Sequence, residues 1–410
     1  MIKATDASRP LQLPCGAVLK NRFVKSAMSD SLADGEGGST DAQARLYERW
    51  AEGDVGLSII GEVQIDPCFP EKPGNLVLSA ASNLQSLHSL ASRAAIKGAH
   101  IWPQLGHAGG LSHLPISQPK GPSYLKIGSF QCAGMSKAEV TRLPDMYASA
   151  ALIAKNAGFT GVQIHAGHGF LLSQFLSPLF NHRQDQYGGS IEARCTIIVE
   201  IMAKVRSVVG RLFPIGIKIN SSDQLEGGLT EDDALETIGI LDKTSIDLIE
   251  ISGGSYFPGA KSSSDSAASG PYFIEFAQQA RNLTRIPLVV TGGFKTREQV
   301  LETLAGNAVD MVGLGRAFVL NPELVNDWIS GKPDTLDFAR FDFPRFERPP
   351  QGGITAWYTM RLTALGNDSE RKFDLDLLSA IGLYEERDND RCVKWKNKFS
   401  DSQPATDSVS

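Results

Sequence analysis

Residues 161–194 read GVQIHAGHGFLLSQFLSPLFNHRQDQYGGSIEAR, and this stretch indicates how the chain is organised. It begins with a short apolar run, Gly161–Ile164, that is typical of a buried strand. Two histidines, His165 and His168, follow at the end of that run. A polar loop punctuated by glycines then leads to a segment with helical spacing. Polar groups at the carboxyl end of a buried strand point to a functional site.

Seven more runs of this kind occur in the chain, and each precedes a segment with helical spacing. The eight predicted strands are Arg22–Ala27, Val55–Gly61, Ala99–Leu105, Gly161–Ile164, Pro214–Ile219, Asp247–Ile251, Pro287–Thr291 and Asp310–Gly313. Helices are predicted at Ala42–Glu52, Asn83–Lys97, Pro144–Ala157, Ile191–Val209, Glu231–Lys243, Phe273–Leu283 and Thr296–Ala305. Eight strands alternating with helices predict an α/β protein with a (β/α)8 TIM barrel.

A doubly wound sheet is the competing fold, and it usually has a glycine-rich first turn. Here the first strand is followed by Met28-Ser29-Asp30-Ser31, which is not such a turn. Two long βα-loops are predicted, Gly106–Pro144 and Ser252–Pro271. We assign the barrel to residues 1–342 and a C-terminal extension to residues 343–410, with a helix at Asp374–Leu383 and disorder from Ser400.

The composition is that of an ordinary globular protein. The 410 residues are 42% hydrophobic and 21% charged, and the net charge of -6 argues against a nucleic acid or an anionic membrane as partner. Five scattered cysteines suit reduced thiols, and no signal peptide or apolar run long enough to span a bilayer is present in the sequence. We therefore expect a cytoplasmic protein whose state as monomer or homo-oligomer the sequence leaves open.

Polar residues follow most of the predicted strands, at the end where barrel enzymes carry their sites. They include Ser29, Glu62, Gln104, His107, His165, His168, Lys218, Asn220 and Ser252. The glycines near Gly293 and Gly315, with Arg316, lie after the last two strands, where barrels commonly bind phosphate. Gln104 and Lys218 could bind the polar edge of a flat heterocycle. No His-x-His follows the first strand, so a metal-dependent hydrolase is a weaker alternative and no metal ligand is predicted.

The chain resembles the Old Yellow Enzyme family of FMN-dependent oxidoreductases, and is most similar to its thermophilic-like branch, from Pro14 to Asn321. The motifs that carry the resemblance are Lys20-Asn21-Arg22-Phe23, Gln104-Leu105-Gly106-His107-Ala108-Gly109, His165-Ala166-Gly167-His168-Gly169-Phe170-Leu171-Leu172, Asn181-x-Arg183-x-Asp185-x-Tyr187-Gly188-Gly189 and Gly313-Leu314-Gly315-Arg316. A His-x-x-His pair alone is weak evidence, whereas the whole run from His165 to Arg194 is specific.

This resemblance implies FMN as cofactor, NAD(P)H as reductant and a small enone or enal as substrate. The implied FMN contacts are Ala27, Met28, Ser29, Val63, Gln104, His165, Lys218, Gly293, Gly315 and Arg316. His165 and His168 would hydrogen-bond the substrate carbonyl, so that hydride from flavin N5 reaches the β-carbon. A flavin-binding protein without catalysis is the least favoured reading.

The chain departs from the family at Phe170, where a tyrosine usually donates the proton to the α-carbon. Phenylalanine has no proton to give. The alternative hypothesis is therefore a redox-neutral isomerase, a desaturase or another specialised biosynthetic enzyme on the same scaffold. Tyr256 and Tyr272 are candidate replacement donors. Ser29 stands where Thr or Cys is usual, and Lys218 where Arg is usual.

Overall fold

The fold is a closed barrel of eight parallel strands. The computed structural model describes residues 7–257, 260, 270–329, 343–347 and 349–400. The strands are β1 (Phe23–Lys25), β2 (Leu57–Gln64), β3 (His100–Gly106), β4 (Val162–Ala166), β5 (Ile215–Asn220), β6 (Leu248–Ser252), β7 (Leu288–Thr291) and β8 (Met311–Leu314). Each pairs with the next in the chain, and β8 pairs with β1 to close the ring. The predicted (β/α)8 barrel is confirmed.

Helices surround the barrel. They are α1 (Asp41–Glu52), α2 (Leu84–Ala94), α3 (Lys137–Asn156), α4 (Leu171–Leu176), α5 (Ile191–Val209), α6 (Glu231–Leu241), α7 (Ile274–Arg281), α8 (Arg297–Ala305), α9 (Arg316–Leu320) and α10 (Leu324–Ile329). The predicted start of α3 at Pro144 is wrong. A capping box formed by Ser136 and Glu139 starts the helix earlier, and Pro144 lies buried inside it.

The amino-terminal end of the barrel is filled by apolar side chains. Val24, Trp102 and Leu248 are fully buried there, and a two-stranded ribbon (Leu11–Gln12 with Val18–Leu19) packs against them. Glycine at position 161 leaves room for the indole, because an added Cβ would lie 2.4 Å from Trp102 Nε1. Polar chemistry is therefore confined to the opposite end, where the strands end in loops.

The loop after β3 carries a small three-stranded sheet formed by Lys120–Gly121, Leu125–Ile127 and Phe130–Gly134. Much of the second predicted long loop, after β6, lies outside the described residues. Within the described part of the chain, none of the helices has both the length and the apolar character needed to cross a membrane.

Two helices form the described part of the C-terminal extension, α11 (Gly353–Gly366) and α12 (Leu377–Phe399). The helix predicted to end at Leu383 is longer, because Cys392, Trp395 and Phe399 bury an apolar face against the loops after β2 and β3. Packing of this kind, rather than local propensity, decides the end of a helix. The disorder predicted beyond Ser400 lies outside the described residues.

Candidate active site

The carboxyl ends of the strands meet at one mouth of the barrel, where the sequence predicts the site. The rim is partly exposed, and its residues are Met28, Ser29, His168, Gly292, Gly293, Gly315 and Arg316. The floor consists of polar side chains that are almost fully buried. Gln104, His165 and Lys218 each expose 2% of their surface or less. The mouth therefore combines an accessible rim with a dry, polar floor.

His165 is the last polar side chain of β4. The Gly167 N–H donates to His165 Nδ1 at 3.3 Å, which leaves Nε2 to carry the proton of a neutral imidazole. Nε2 lies 3.2 Å from Glu62 Oε1, but among the described residues it is a buried nitrogen without a hydrogen-bond partner. His165 therefore has a buried donor nitrogen that is available to an acceptor.

His168 follows β4 in a left-handed conformation, with φ of 60°. Its backbone N–H donates to Asn220 Oδ1 at 3.0 Å, and its Nε2 lies 3.0 Å from Ser252 Oγ. Loss of hydration, together with the nearby Lys218 cation, lowers the pKa of His168 well below its usual value. The two imidazole rings are 5.2 Å apart and close to perpendicular, at 83°. His168 is neutral at physiological pH as a result.

Glu62 reaches His165 because β2 is irregular at its end. The pairing of β2 with β3 shifts register between Ile60 and Val63, and Glu62 has φ of 56°. Such a bulge redirects a side chain. Val63 is fully buried in the main apolar core. The sequence identified Glu62 as a polar residue at a strand end, but not its partner, since register shifts leave no local pattern.

Phe170 lies directly beside the histidines. Its ring centroid is 5.2 Å from that of His165 and 5.7 Å from that of Tyr256, and only 2% of the residue is exposed. Of the two candidate replacement donors, Tyr256 is close to the pair, with its ring 5.7 Å from His168. Tyr272 instead packs on Phe273.

A ladder of hydrogen bonds crosses the floor between β3 and β7. Gln104 Nε2 donates to Gln163 Oε1, and Gln163 Nε2 donates to Glu250 Oε2, both at 2.7 Å. Glu250 also accepts from Thr291 at 2.7 Å and lies 3.2 Å from Lys218 Nζ. Burial raises the pKa of Glu250, but Lys218 and these hydrogen bonds outweigh it and hold that pKa below its usual value.

Two members of this ladder, Gln163 and Glu250, were missed by the sequence analysis. The available signal was their position, because each is a polar residue within an otherwise apolar strand. A buried ion pair needs good geometry and further hydrogen bonds to offset its loss of hydration. The ladder supplies those bonds around the Lys218–Glu250 pair.

Glycines keep the rim open after β7 and β8. An added Cβ at Gly293 would lie 2.1 Å from Gly270 O, and one at Gly315 would lie 3.2 Å from Met28 Sδ. The Arg316 guanidinium lies next to Gly315, 5.6 Å from the Phe343 ring and 5.7 Å from the Tyr358 ring. Backbone N–H groups without side chains, beside a guanidinium, suit a phosphate.

Ser29 connects the end of β1 to the loop after β2. Its hydroxyl donates to Glu71 Oε2 at 3.2 Å and accepts from Asn75 Nδ2 at 3.1 Å. Burial and the neighbouring Glu62 carboxylate raise the pKa of Glu71 to about 7. Neither Glu71 nor Asn75 was singled out in the sequence, since the loop carries no recognisable motif.

These residues fit an FMN. A flat heterocycle with donors and acceptors at its edge matches the polar floor, and a phosphate matches the rim of Gly293, Gly315 and Arg316. The class that fold and site define is an FMN-dependent (β/α)8 oxidoreductase.

The chain belongs to the NADH:flavin oxidoreductase / NADH oxidase family, whose model matches residues 9–335. This assignment confirms the resemblance to the Old Yellow Enzyme family. It also agrees with the predicted FMN cofactor and nicotinamide reductant.

Relatives agree with the family, and a solved structure agrees with the fold. The chain is 32% identical to the NADH-dependent flavin oxidoreductase iliE of Neonectria sp. (strain DH2), over 80% of this chain and 48% of that protein. It is also 32% identical to iliE of Hypocrea jecorina (strain QM6a), over 85% and 96%. The fold matches the Old Yellow Enzyme homologue from Zymomonas mobilis with a TM-score of 0.68 and 22% identity, over 82% and 97%. The chain thus spans about half of the Neonectria protein and nearly all of the Hypocrea protein.

Proposed function

We propose that this enzyme uses NAD(P)H to reduce the carbon–carbon double bond of an α,β-unsaturated carbonyl compound. The observation that carries the proposal is the pair His165 and His168, whose perpendicular rings lie 5.2 Å apart at the mouth. An imidazole ring offers at least one N–H donor, and here two rings offer donors side by side. A carbonyl oxygen is the substrate group that such a pair suits best.

The cofactor contacts we propose are those implied by the family. Ser29, Gln104 and Lys218 would hold the flavin ring, and Gly293, Gly315 and Arg316 the phosphate; Ala27, Met28 and Val63 would complete the cradle, with His165 facing it. When bound, FMN supplies hydride chemistry. Lys218 would place a positive charge beside the ring, and the hydrogen-bond ladder through Glu250 keeps that lysine in position.

The histidines would act on the substrate by stabilising negative charge on its carbonyl oxygen. Preorganised donors of this kind contribute a few kcal/mol, because they are aimed at charge that develops during the reaction. In the structure, Glu62 Oε1 lies 3.2 Å from His165 Nε2. His165 Nε2 makes no hydrogen bond in the described part of the chain, so the substrate oxygen would supply the acceptor that this buried nitrogen lacks.

Phe170 favours a second candidate function on the same scaffold. Its ring lies 5.2 Å from the His165 ring, in the position where the family's usual tyrosine would donate a proton to the substrate, and it carries no hydroxyl. An enzyme whose enolate is not protonated by residue 170 could instead return a rearranged or desaturated product. The rearrangement is redox-neutral and would form product without net consumption of NAD(P)H, whereas desaturation oxidises the substrate and would pass its electrons to an external acceptor such as a second enone.

Stopped-flow spectroscopy of the purified holoenzyme tests both functions. We expect NAD(P)H to bleach the flavin absorbance anaerobically, and 2-cyclohexenone or a related enone to restore it with a saturated product. Absence of reoxidation by a panel of enones would contradict the leading proposal. Product formed without NAD(P)H oxidation would support the second candidate. We expect the enzyme to act in the cytoplasm on a free small molecule.

A further inference from the structure

Tyr256 lies where it can replace the hydroxyl that Phe170 lacks. We propose that Tyr256 donates the proton to the α-carbon of the substrate held by His165 and His168. The assignment rests on the proposed function and deepens it. The Tyr256 ring lies 5.7 Å from both the His168 ring and the Phe170 ring. A substrate bound by the histidines therefore has Tyr256 as a neighbour.

The backbone holds Tyr256 in this place on both sides. Its N–H donates to His168 O at 3.0 Å, and the preceding residue, Ser255, forms a β-bridge with His168. The following residue, Phe257, is buried, and its ring lies 4.8 Å from Phe130 and 5.0 Å from Phe180. The loop after β6 is thus tied to the loop that carries the histidines.

The chemistry of the phenol suits this role. A tyrosine keeps its proton at neutral pH, since an unperturbed phenol has a pKa of about 10. Tyr256 is 55% exposed, so water can return a proton to it after each turnover. Phe170 is 2% exposed and supplies an apolar wall.

The proposed step balances. The β-carbon gains a hydride, whose electron pair comes from NAD(P)H, and the substrate becomes an enolate stabilised by the two histidines. This transfer is reversible until the α-carbon is protonated, so that loss of the proton donor slows net reoxidation of the flavin. The Tyr256 O–H bond breaks, a C–H bond forms at the α-carbon and the enolate collapses to the ketone. The phenolate then takes a proton from solvent. Nothing beyond the nicotinamide and water is consumed.

A tyrosine swap tests the assignment. We compare four holoenzymes: wild type, Tyr256→Phe, Phe170→Tyr and the double variant. Each is reduced anaerobically and mixed with 2-cyclohexenone. We expect Tyr256→Phe to slow flavin reoxidation by about 100-fold or more, the range of general acid catalysis, and to leave flavin reduction by NAD(P)H unchanged. The double variant should recover most of the rate, because it returns a hydroxyl to the neighbouring ring.

Two further measurements separate catalysis from structure. Tyr124→Phe makes the same change at a tyrosine that is 58% exposed in the loop after β3, and it should leave both half-reactions unchanged. In deuterium oxide, wild type should label one face of the α-carbon, and Tyr256→Phe should lose that facial selectivity. A merely structural tyrosine would not change the face.

If Tyr256→Phe is reoxidised at the normal rate and still labels one face of the α-carbon, the assignment of Tyr256 is wrong, while the proposed function stands. A double variant as slow as the single one would also overturn it, since the loss would then be structural. If wild type reduces no enone, the proposed function fails and this assignment fails with it.

Discussion

The barrel and the C-terminal extension are built by different rules. In the barrel, parallel strands bring their carboxyl ends to one mouth, so that residues distant in sequence become neighbours by topology. The described part of the extension has two α-helices, and the family model ends at residue 335, before α11 begins. It packs against the outer surface of the barrel and its loops. The barrel therefore holds the proposed chemistry, and the extension shapes its surroundings.

The contacts of the extension show where it acts. Arg391 Nη1 donates to the backbone oxygen of Ser31 at 2.7 Å, just beyond the end of β1. Trp395 Nε1 donates to Pro67 O at 3.0 Å in the loop after β2. Tyr358 lies 5.7 Å from Arg316. Two of these contacts are to loops that follow β1 and β2, and the third is to the first residue of α9, which follows β8. The comparison suggests that activity depends on the barrel and stability of the loops on the extension.

The largest effect should come from the barrel. We expect His165→Ala to lower kcat/KM for an enone by about 100- to 1,000-fold, the usual cost of losing a preorganised donor. Arg391→Ala, on the extension, should lower it by less than about 10-fold, because it contacts Ser31 and no reacting group. Steady-state kinetics measure both. Equal losses of kcat/KM in the two variants would contradict the expectation that activity depends on the barrel rather than on the extension.

The second prediction concerns packing of the extension. Trp395 is 1% exposed and contacts a cluster that includes Val77 and Ile116. We expect Trp395→Ala to reduce the free energy of unfolding by about 3 kcal/mol, since it leaves a cavity and an unpaired carbonyl. Urea unfolding measures the loss. Val393 is 60% exposed on the same helix, and Val393→Ala should cost no more than about 0.5 kcal/mol. Equal unfolding curves for both variants would show that α12 does not pack there.

The third prediction lies where the two regions meet. Burial and the Glu62 carboxylate raise the pKa of Glu71 to about 7, opposed by Lys72. Burial and the Glu71 carboxyl in turn raise the pKa of Tyr384 on α12. An unfolded glutamate titrates near 4.3, so between roughly pH 4.5 and 7 the folded chain binds the extra proton. Its stability therefore falls as pH rises through this window.

Glu71→Gln should abolish this dependence. Relative to the variant, we expect wild type to lose on the order of 2 kcal/mol of unfolding free energy across the window, after allowance for the partial exposure of Glu71. Glu386→Gln, at an exposed site on α12, is the matched control and should leave the dependence unchanged. Parallel stability curves for wild type and Glu71→Gln would contradict the prediction.

The smallest effect belongs to surface charges that join α1 to the extension. Arg45 and Arg49 contact Asp368 at 2.9 and 2.8 Å, but the Asp368 side chain is 51% exposed. In urea unfolding, Asp368→Asn should reduce the free energy of unfolding by roughly 0.5–1 kcal/mol, and by less at high salt. Asp145, which pairs with Lys204 at 2.7 Å between barrel helices, is 68% exposed. We expect Asp145→Asn to reduce the free energy of unfolding by less than Asp368→Asn does. An equal reduction would show that the ion pairs between α1 and the extension stabilise the fold no more than an ordinary surface ion pair.

The regular elements of the barrel were predictable because their signals are local. Helix α5 has the predicted bounds, since Ser190 caps it and Gly210 follows it. The two largest errors in helix boundaries, at Lys137 and Phe399, depend on a capping box and on long-range packing. His165, His168 and Phe170 lie close together in the sequence, so the motif already indicated that they are neighbours in space.

What the amino-acid sequence settled was the number and order of strands, the family and the histidine pair, because periodicity and short motifs record local geometry. Only the tertiary structure decided what faces that pair. Glu62 from β2 and Tyr256 from the loop after β6 lie beside the histidines, and Glu250 from β6 pairs with Lys218 at the floor. Arg391 reaches Ser31 across 360 positions of the chain. Such contacts depend on closure of the barrel and on the packing of α12, and no local pattern encodes either.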